Sequence, residues 1–289
     1  MSSVIPLYGK KGGVIIVDEY CNYLIQLGCR LSKAKIIKYK HNDIKDLSIK
    51  LEEAKNIKSK YSLITIITEG VFQHDCSISP LKEISDIKKE FIKKNNDKNV
   101  YIIVDDSIGI GSIGNNLKGC LEYNGLTLDN DIDIICGSME FCLDSVGGFI
   151  AGHFTKINKC RLFAAGYIFS ASCPPYACNS SKDSFEQIEK NGNIMKEKLN
   201  NIRNEFENVI NELKNKVTFI GDKNSPCLLM NSEKNDELVK VLKNNGFYVS
   251  KQQHLVEDWC QNEYIKINLG IWFSKEKMEQ FVNIIKEFN

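Results

Sequence analysis

Short apolar runs alternate with amphipathic segments over the first two thirds of this 289-residue chain. The apolar runs are rich in isoleucine and valine and occupy residues 12–19, 35–40, 61–70, 99–107 and 131–138. Segments with helical spacing of apolar residues lie between them, at 21–34, 43–56 and 80–94. Strands that alternate with helices predict βαβ units, and therefore an α/β fold with a mostly parallel sheet and helices on both faces.

The C-terminal third has a different pattern. Residues 182–216 are helical in pattern, and their apolar residues recur at intervals of three and four: Leu199, Ile202, Phe206, Val209 and Leu213. This stripe spans about two heptads, fewer than a coiled coil requires, so one helix packed on its own domain is the favoured interpretation. Short strand patterns follow at 217–221, 227–231, 246–250 and 264–270, with helices at about 234–245 and 275–288.

A polar stretch near residues 178–182 separates these two patterns. It predicts a boundary between a large domain, residues 1–180, and a small C-terminal α+β domain, residues 181–289.

Composition excludes several classes of function. The net charge is +1, which gives no electrostatic footprint for nucleic acid. No run of 18 apolar residues is present, so no transmembrane helix is expected, and the first residues show no targeting signal. The 11 cysteines form no CxxC pair and the four histidines lie at no ligand spacing from them, so no metal site is expected. The cysteines are predicted to be small buried apolar residues in a reducing compartment.

The stretch VDDSIGIGSIG, residues 104–114, is the first candidate site. Asp105 and Asp106 end a buried strand, and α/β sheets bind ligands at the carboxyl ends of their strands. A helix-capping or solvent-facing acidic pair is an equally good interpretation. Three glycines in this stretch match the spacing of a nucleotide-binding loop, but no helical run follows them, so the match is attributed to chance.

Four phrases in order resemble a known enzyme family. They are TEGVFQHDCSISPLKEI, VDDSIGIGSIGNNLKG, DIDIICGSMEFCLDSVGGFIAG and GYIFSASCPP, and HND at residues 41–43 fits as well. The chain is similar to the α-oxoamine synthases, pyridoxal-phosphate enzymes that condense an amino acid with an acyl-CoA. Within them it most resembles the serine palmitoyltransferases, and their first, non-catalytic subunit. The resemblance implies a pyridoxal-phosphate-dependent transferase (aspartate aminotransferase-like) fold, with a large domain that lacks the family's N-terminal segment.

The resemblance also assigns positions in the cofactor site. The aspartate that faces the ring nitrogen of pyridoxal phosphate falls on Asp105 and is retained. The lysine that holds the cofactor falls on Phe141, which cannot form a Schiff base. Two histidine positions fall on Asn22 and Ile108. The arginine that grips the substrate carboxylate falls on Lys266, which keeps the charge but loses the bidentate geometry.

A chain with these replacements is expected to have no catalytic residue of its own. The resemblance implies a heterodimer with a catalytic, lysine-bearing serine palmitoyltransferase subunit that holds the pyridoxal phosphate. Ser170 and Ser172, in the phrase FSASCPP, are expected to contact the cofactor phosphate in trans, on a loop stiffened by Pro174 and Pro175. Hydroxyls that bond only to their own backbone are the alternative.

Three functions are compatible with this pattern. The first is the non-catalytic subunit just described, which supports condensation of serine with a fatty acyl-CoA, the first step of sphingolipid synthesis, on the cytosolic face of the endoplasmic reticulum. The second is a self-sufficient pyridoxal-phosphate enzyme, which Phe141 argues against. The third is a degenerate scaffold of the same fold with no transferase role. Copurification with a lysine-bearing homologue would distinguish the first from the third.

Overall fold

The computed structural model describes residues 1–252 and 263–288, which form two sheets with helices around them. The first sheet has six strands in the order β2-β1-β3-β4-β5-β6. These strands are β1 (Val14–Asp18), β2 (Lys35–Tyr39), β3 (Ile64–Glu69), β4 (Val100–Asp105), β5 (Ile134–Ser138) and β6 (Gly148–Gly152).

The first five strands pair in parallel, and β6 runs antiparallel to β5. Every residue of β1 and of β3 is buried, which explains why these strands are rich in isoleucine and valine and do not alternate between apolar and charged residues. The predicted mostly parallel sheet and its five strands are confirmed. The sixth strand, β6, was not predicted.

Helices cover both faces of this sheet. They are α1 (Val4–Tyr8), α2 (Tyr23–Leu31), α3 (Ile44–Ile57), α4 (Leu81–Asn95), α5 (Cys120–Asn124), α6 (Phe154–Phe163) and α7 (Ala165–Ile168). Apolar side chains of α3 and α4 pack into the core on one face. Side chains of α1, α2 and α6 pack into the core on the other face. The carboxyl edge of the sheet is left open to the loops that follow each strand.

The second sheet is antiparallel, with strand order β7-β8-β10-β9. Its strands are β7 (Thr218–Ile220), β8 (Cys227–Asn231), β9 (Ser250–Gln252) and β10 (Tyr264–Asn268), and it is flanked by α8 (Pro175–Leu213), α9 (Asn235–Asn244) and α10 (Lys275–Glu287). The apolar stripe of α8 packs mainly on this sheet, as the single-helix interpretation predicts. Three of the four predicted strands are confirmed.

The predicted strand at 246–250 is wrong over most of its length. Gly246 has a φ of +83° and ends α9, and the Phe247 N–H donates back to the Leu242 carbonyl at 2.9 Å. The segment therefore belongs to a helix end, and the strand begins only at Ser250.

Helix α8 runs through residues 178–182, where the sequence predicts the domain boundary. The division into domains at that point stays a prediction. Although α8 has 39 residues, it is too polar to cross a membrane, and no other helix in the described part of the chain is long and apolar enough to do so.

Gly192 lies inside α8 against the backbone of a turn that precedes α5. A Cβ atom at this position would lie 2.2 Å from the carbonyl oxygen of Asn116, which cannot rotate away. Alanine normally stabilises a helix interior relative to glycine by roughly 1 kcal/mol. Here we expect Gly192→Ala to lower the free energy of unfolding by about 1–3 kcal/mol, because the backbone must shift.

Urea denaturation of the wild type and the variant measures this effect. Asn193→Ala, at the exposed neighbouring position, is the control and should change stability by less than about 0.5 kcal/mol. An unchanged or raised midpoint for Gly192→Ala would contradict the close contact.

Candidate functional site

Two acidic side chains meet at the carboxyl edge of the large sheet. Glu69 ends β3 and Asp105 ends β4, and the parallel register places them side by side. Both are buried, with 2% and 7% of their surface exposed. This is the edge at which open α/β sheets bind ligands, so the pair marks the candidate site.

Asp105 has hydrogen-bond partners on both carboxylate oxygens. Its Oδ1 accepts bonds from the backbone N–H and the hydroxyl of Ser107, and its Oδ2 accepts a bond from Asn22 Nδ2 at 3.3 Å. The Ser107 hydroxyl oxygen in turn accepts the N–H of Ser138 at 2.8 Å, at the end of β5. The carboxylate is therefore held by three neighbouring segments of its own chain.

Asn22 has a structural role at the position where the family carries a histidine. Its side-chain oxygen caps α2 by accepting the N–H of Ile25 at 3.1 Å. This leaves the amide nitrogen to face Asp105. The backbone N–H of Asn22 donates to Glu69 Oε1 at 2.6 Å. Asparagine thus links the two acidic side chains without offering a ring.

Glu69 is a buried acid whose pKa is raised. Burial, followed by the nearby charge of Asp105, raises its pKa to about 8. Hydrogen bonds from the N–H groups of Asn22 and Gln73 oppose this shift but do not cancel it. Glu69 lies in the sequence stretch TEGVF. The stretch alone does not mark Glu69 as a site residue, because that role depends on the pairing of β3 with β4, which places Glu69 beside Asp105.

Lys266 reaches the rim of the same site from β10. Its Nζ donates to the Gln73 carbonyl oxygen at 3.3 Å, and the Gln73 N–H donates to Glu69 at 3.0 Å. The side chain of Gln252 also donates to the Gln73 carbonyl, at 3.3 Å. The structure therefore brings Asp105, Asn22 and Lys266 into one connected group. A role for Lys266 in binding a substrate carboxylate stays a prediction.

Phe141 and Ile108 cannot supply the chemistry of the residues they replace. Phe141 lies three residues beyond β5, in a loop closed by hydrogen bonds between Met139 and Gly147, and half of its surface is exposed. Ile108 is half-buried and packs against the large core. Neither side chain has a group that forms a covalent bond to a carbonyl or transfers a proton.

The residues of this site do not fit a covalently held pyridoxal phosphate. The cofactor needs a lysine amine, and the resemblance predicts Phe141 at the position of that lysine. Within residues 1–252 and 263–288, the lysine that connects to the Asp105 group is Lys266, whose amine bonds to a carbonyl oxygen at the rim.

The two aspartates of the VDDS stretch have different roles. The Asp106 side chain accepts the N–H of Cys120, the first residue of α5, at 2.9 Å, so the capping interpretation holds for this residue. Glycines 70, 109 and 119 surround the carboxyl so closely that a Cβ on any of them would lie within 2.4 Å of its oxygens. Burial raises the pKa of Asp106 to about 7.

His41 lies beside the site in an arrangement that resembles a hydrolase triad. Its Nδ1 is 2.9 Å from Asp18 and its Nε2 is 2.9 Å from the hydroxyl of Ser77. Burial disfavours the ring's charge, but hydrogen bonds to Asp18 and Asp75 outweigh it and raise the pKa of His41 to about 9. A charged imidazole cannot accept the serine proton, and Ser77 donates instead to Asp75 at 2.8 Å. His41 therefore forms ion pairs with Asp18 and Asp75, which connect the end of β1 to the loop after β3.

Ser170 and Ser172 lie apart from this group, in the segment between α7 and α8. Both are exposed, and neither hydroxyl forms a hydrogen bond to the described residues of the chain. This does not support the alternative in which they satisfy their own backbone. Their contact with a cofactor in trans stays a prediction.

The same region presents large apolar side chains to solvent. We call six of them the aromatic patch: Phe154, Leu162, Phe163, Tyr167, Phe169 and Tyr176. Each is more than half exposed, and Phe169 reaches 87%. Large apolar side chains left exposed close together in sequence make this segment a candidate for contact with a partner.

The buried acids give the stability of the protein a dependence on pH. Glu69 and Asp106 have raised pKa values, about 8 and about 7, so the folded protein keeps protons that the unfolded chain releases. The free energy of unfolding is therefore expected to fall as pH rises from about 4.5 to about 8, by at most about 1.4 kcal/mol per pH unit for each group.

Neutral variants test this expectation. Asp106→Asn should reduce the decline in stability between pH 5 and 7, and Glu69→Gln should reduce it up to about pH 8. Asp131→Asn is the control, because hydrogen bonds from Lys89 and Thr127 outweigh burial and lower the pKa of Asp131 to about 2. The contribution of Asp131 to the free energy of unfolding is therefore constant between pH 5 and 8. Parallel curves for Asp106→Asn and the wild type would show that Asp106 is ionised throughout.

The chain is a member of a large enzyme family. Residues 2–285 match the family model for aminotransferases of class I and II, and the chain belongs to that family. Long chain base biosynthesis protein 1 of Arabidopsis thaliana is 31% identical over 242 residues, which cover 83% of this chain and 48% of that protein. Serine palmitoyltransferase 1 of Dictyostelium discoideum is 28% identical over 306 residues, which cover 99% of this chain and 62% of that protein. The chain thus spans about half the length of the curated relatives it matches.

Solved structures show the same fold. Serine palmitoyltransferase of Sphingomonas wittichii superimposes with a TM-score of 0.83 over 99% of this chain and 68% of that chain, at 22% identity. A serine palmitoyltransferase structure with its pyridoxal phosphate gives the same TM-score and identity. The predicted pyridoxal-phosphate-dependent transferase fold and the resemblance to the α-oxoamine synthases are confirmed.

Proposed function

We propose that this chain is the non-catalytic subunit of a serine palmitoyltransferase. The proposal rests on Phe141, the residue that the resemblance assigns to the position of the cofactor lysine, in a chain that matches the family over residues 2–285. The relatives named for serine palmitoyltransferase and long chain base synthesis support the substrate class. The substrates are serine and a fatty acyl-CoA, and the product is the first intermediate of sphingolipid synthesis.

The contacts within the candidate site favour a non-catalytic subunit over an independent enzyme. Both oxygens of Asp105 are engaged by Ser107 and Asn22, so the carboxylate is held within its own chain. Asn22 caps a helix and Ile108 packs into the core. Each replacement stabilises the fold, while none adds a group that reacts.

The aromatic patch supports a partner subunit. Burial of a large apolar side chain contributes roughly 1.5–3 kcal/mol, and an obligate interface buries on the order of 2,000–5,000 Å². The partner in this proposal is a lysine-bearing homologue that holds pyridoxal phosphate, and Ser170 and Ser172 extend from the edge of the patch to its phosphate. The complex would act on the cytosolic face of the endoplasmic reticulum.

Reconstitution with a lysine-bearing homologue from the same organism tests the proposal. Three preparations are compared: this chain, the homologue, and the two coexpressed. We expect a stable one-to-one complex, and condensation of serine with palmitoyl-CoA only in the coexpressed preparation. Full activity of the homologue alone, with no complex, would favour the scaffold function instead. Activity of this chain alone would overturn the proposal.

Restoring the lysine is not expected to restore activity. Phe141→Lys adds an amine, but Asn22 and Ile108 still lack the imidazole rings that catalytic members carry. We expect the purified variant, incubated with pyridoxal phosphate, serine and palmitoyl-CoA, to show no turnover above the wild-type chain. Borohydride reduction followed by peptide mapping should give no adduct at position 141 in the wild type. Turnover by the single variant would show that the lysine was the only missing group.

A further inference from the structure

Two cysteines meet where the two sheets of the protein contact each other. Cys76 lies in the loop between β3 and α4, and Cys227 is the first residue of β8. Their exposed fractions are 0% and 2%, and they share a small apolar cluster with Leu229 and Tyr264. Cys76 lies in a loop that follows a strand of the first sheet, Cys227 lies in the second sheet, and the two residues are far apart in sequence.

The backbone holds the two cysteines against each other. The Asp222 N–H donates to the Cys76 carbonyl at 3.1 Å. A Cβ atom on Gly221 would lie 3.2 Å from Cys76 Cβ and 3.4 Å from the Cys227 carbonyl oxygen, so both cysteines border the same glycine. The two thiols form a hydrogen bond to each other.

The neighbouring groups shift the pKa values of the two thiols in opposite directions. The hydrogen bond from Cys76 lowers the pKa of Cys227, against the effect of burial, and the charge of Lys266 adds to the shift. The same hydrogen bond and burial raise the pKa of Cys76. Because the thiolate is the nucleophilic form, Cys227 is the sulfur that reacts first.

We propose that Cys76 and Cys227 form an oxidisable dithiol whose disulfide links the two sheets. With hydrogen peroxide, the Cys227 thiolate attacks one peroxide oxygen, the O–O bond breaks, and a sulfenic acid and a hydroxide ion form. The hydroxide takes up the proton that the Cys227 thiol had released, which gives the first water. The Cys76 thiol then attacks the Cys227 sulfur, the S–O bond breaks, and a second water leaves with the thiol proton. The net reaction converts two thiols and one peroxide into one disulfide and two waters.

The disulfide would act on the rim of the candidate site. Cys76 follows Gln73 by three residues, and the Gln73 carbonyl accepts hydrogen bonds from Lys266 and Gln252 of the small sheet. A covalent bond from Cys76 to β8 would hold this loop against the strands that carry those donors. The linkage closes a loop of roughly 150 residues, so it would also restrict the unfolded chain strongly.

Among the described cysteines, Cys142, Cys173 and Cys178 are more exposed than this pair and offer a competing outcome. Cys173 is partly exposed and Cys178 is exposed, and the Cys178 thiol donates to the Cys173 carbonyl at 3.9 Å. They lie near the aromatic patch, where oxidant reaches them freely. Selective oxidation at the buried pair therefore cannot be explained by access alone.

Peptide mapping of the oxidised full-length chain tests the proposal. The folded protein is treated with hydrogen peroxide, blocked with N-ethylmaleimide in denaturant, and digested without reduction. We expect a Cys76–Cys227 linked peptide that is lighter than its two reduced parts by about 2 Da, and a melting temperature higher by roughly 5 °C. Cys76→Ser and Cys227→Ser should each abolish the linked peptide and the shift in melting temperature.

Cys29→Ser is the matched control, because Cys29 is a buried thiol outside this pair. It should leave both results unchanged. The proposal is overturned if Cys76 and Cys227 are recovered as blocked thiols while Cys173 and Cys178 are oxidised, or if the pair stops at sulfinic acids without a linkage. Since the map of the wild-type protein decides between these outcomes, a variant that fails to fold does not obscure the result.

Discussion

Replacing Phe163 and Phe169 with aspartate is expected to weaken the complex between this chain and a lysine-bearing subunit by at least about 100-fold. The two rings are 66% and 87% exposed, and they lie at the end of α6 and just after α7. Each buried aromatic side chain contributes roughly 1.5–3 kcal/mol, and each 1.4 kcal/mol is a factor of ten in affinity. An aspartate placed in the interface adds the cost of burying an unpaired charge.

Tyr61→Asp provides the matched control. Tyr61 is 84% exposed, but it lies just before β3, at the opposite edge of the sheet from the candidate site. This variant should bind the partner as the wild type does. Affinity is measured by titrating one labelled subunit with the other, and circular dichroism checks that the double variant is folded. If the double variant binds normally, the aromatic patch is not the contact surface and the partner occupies another face.

Burial on both faces of a sheet is the property that made the strands predictable. β3 is buried at every position, so its sequence is a run of isoleucine and threonine that ends in Glu69. β6 is the opposite case, because the GGFIAG stretch is only partly buried and half of it is glycine. β6 adopts a strand conformation because it pairs with β5, and this pairing cannot be predicted from the residues of β6 alone.

The candidate site was predictable only in part, for a similar reason. Asp105 could be named because it ends a buried strand and fits a family motif. Glu69 could not be singled out, because its raised pKa results from burial beside Asp105, on a neighbouring strand. The charge of His41 likewise depends on Asp18 and Asp75, which come from two other segments. These are non-local contacts, and a pattern of residues along one segment contains no information about them.

The loop that contains Ser170 and Ser172 has the second large expected effect. In the complex with a lysine-bearing subunit, we expect the Ser170→Ala, Ser172→Ala double variant to retain pyridoxal phosphate at least about 100-fold less tightly. Hydrogen bonds to a charged acceptor contribute roughly 1.5–3 kcal/mol each, and both hydroxyls are exposed and free to reach a partner's phosphate group. The stoichiometry of the two subunits should not change, because serine hydroxyls contribute little to an apolar interface.

Cofactor occupancy during dialysis of the reconstituted complex measures the loss, and size-exclusion chromatography follows the stoichiometry in parallel. Ser180→Ala is the control, since the Ser180 hydroxyl donates to the Asp144 carbonyl at 2.9 Å within its own chain. That variant should keep its cofactor. If the double variant also holds pyridoxal phosphate as the wild type does, these serines have no contact with the phosphate. If the subunits separate instead, the loop serves assembly, because the cofactor would then be lost as a consequence of dissociation and not of two missing hydrogen bonds.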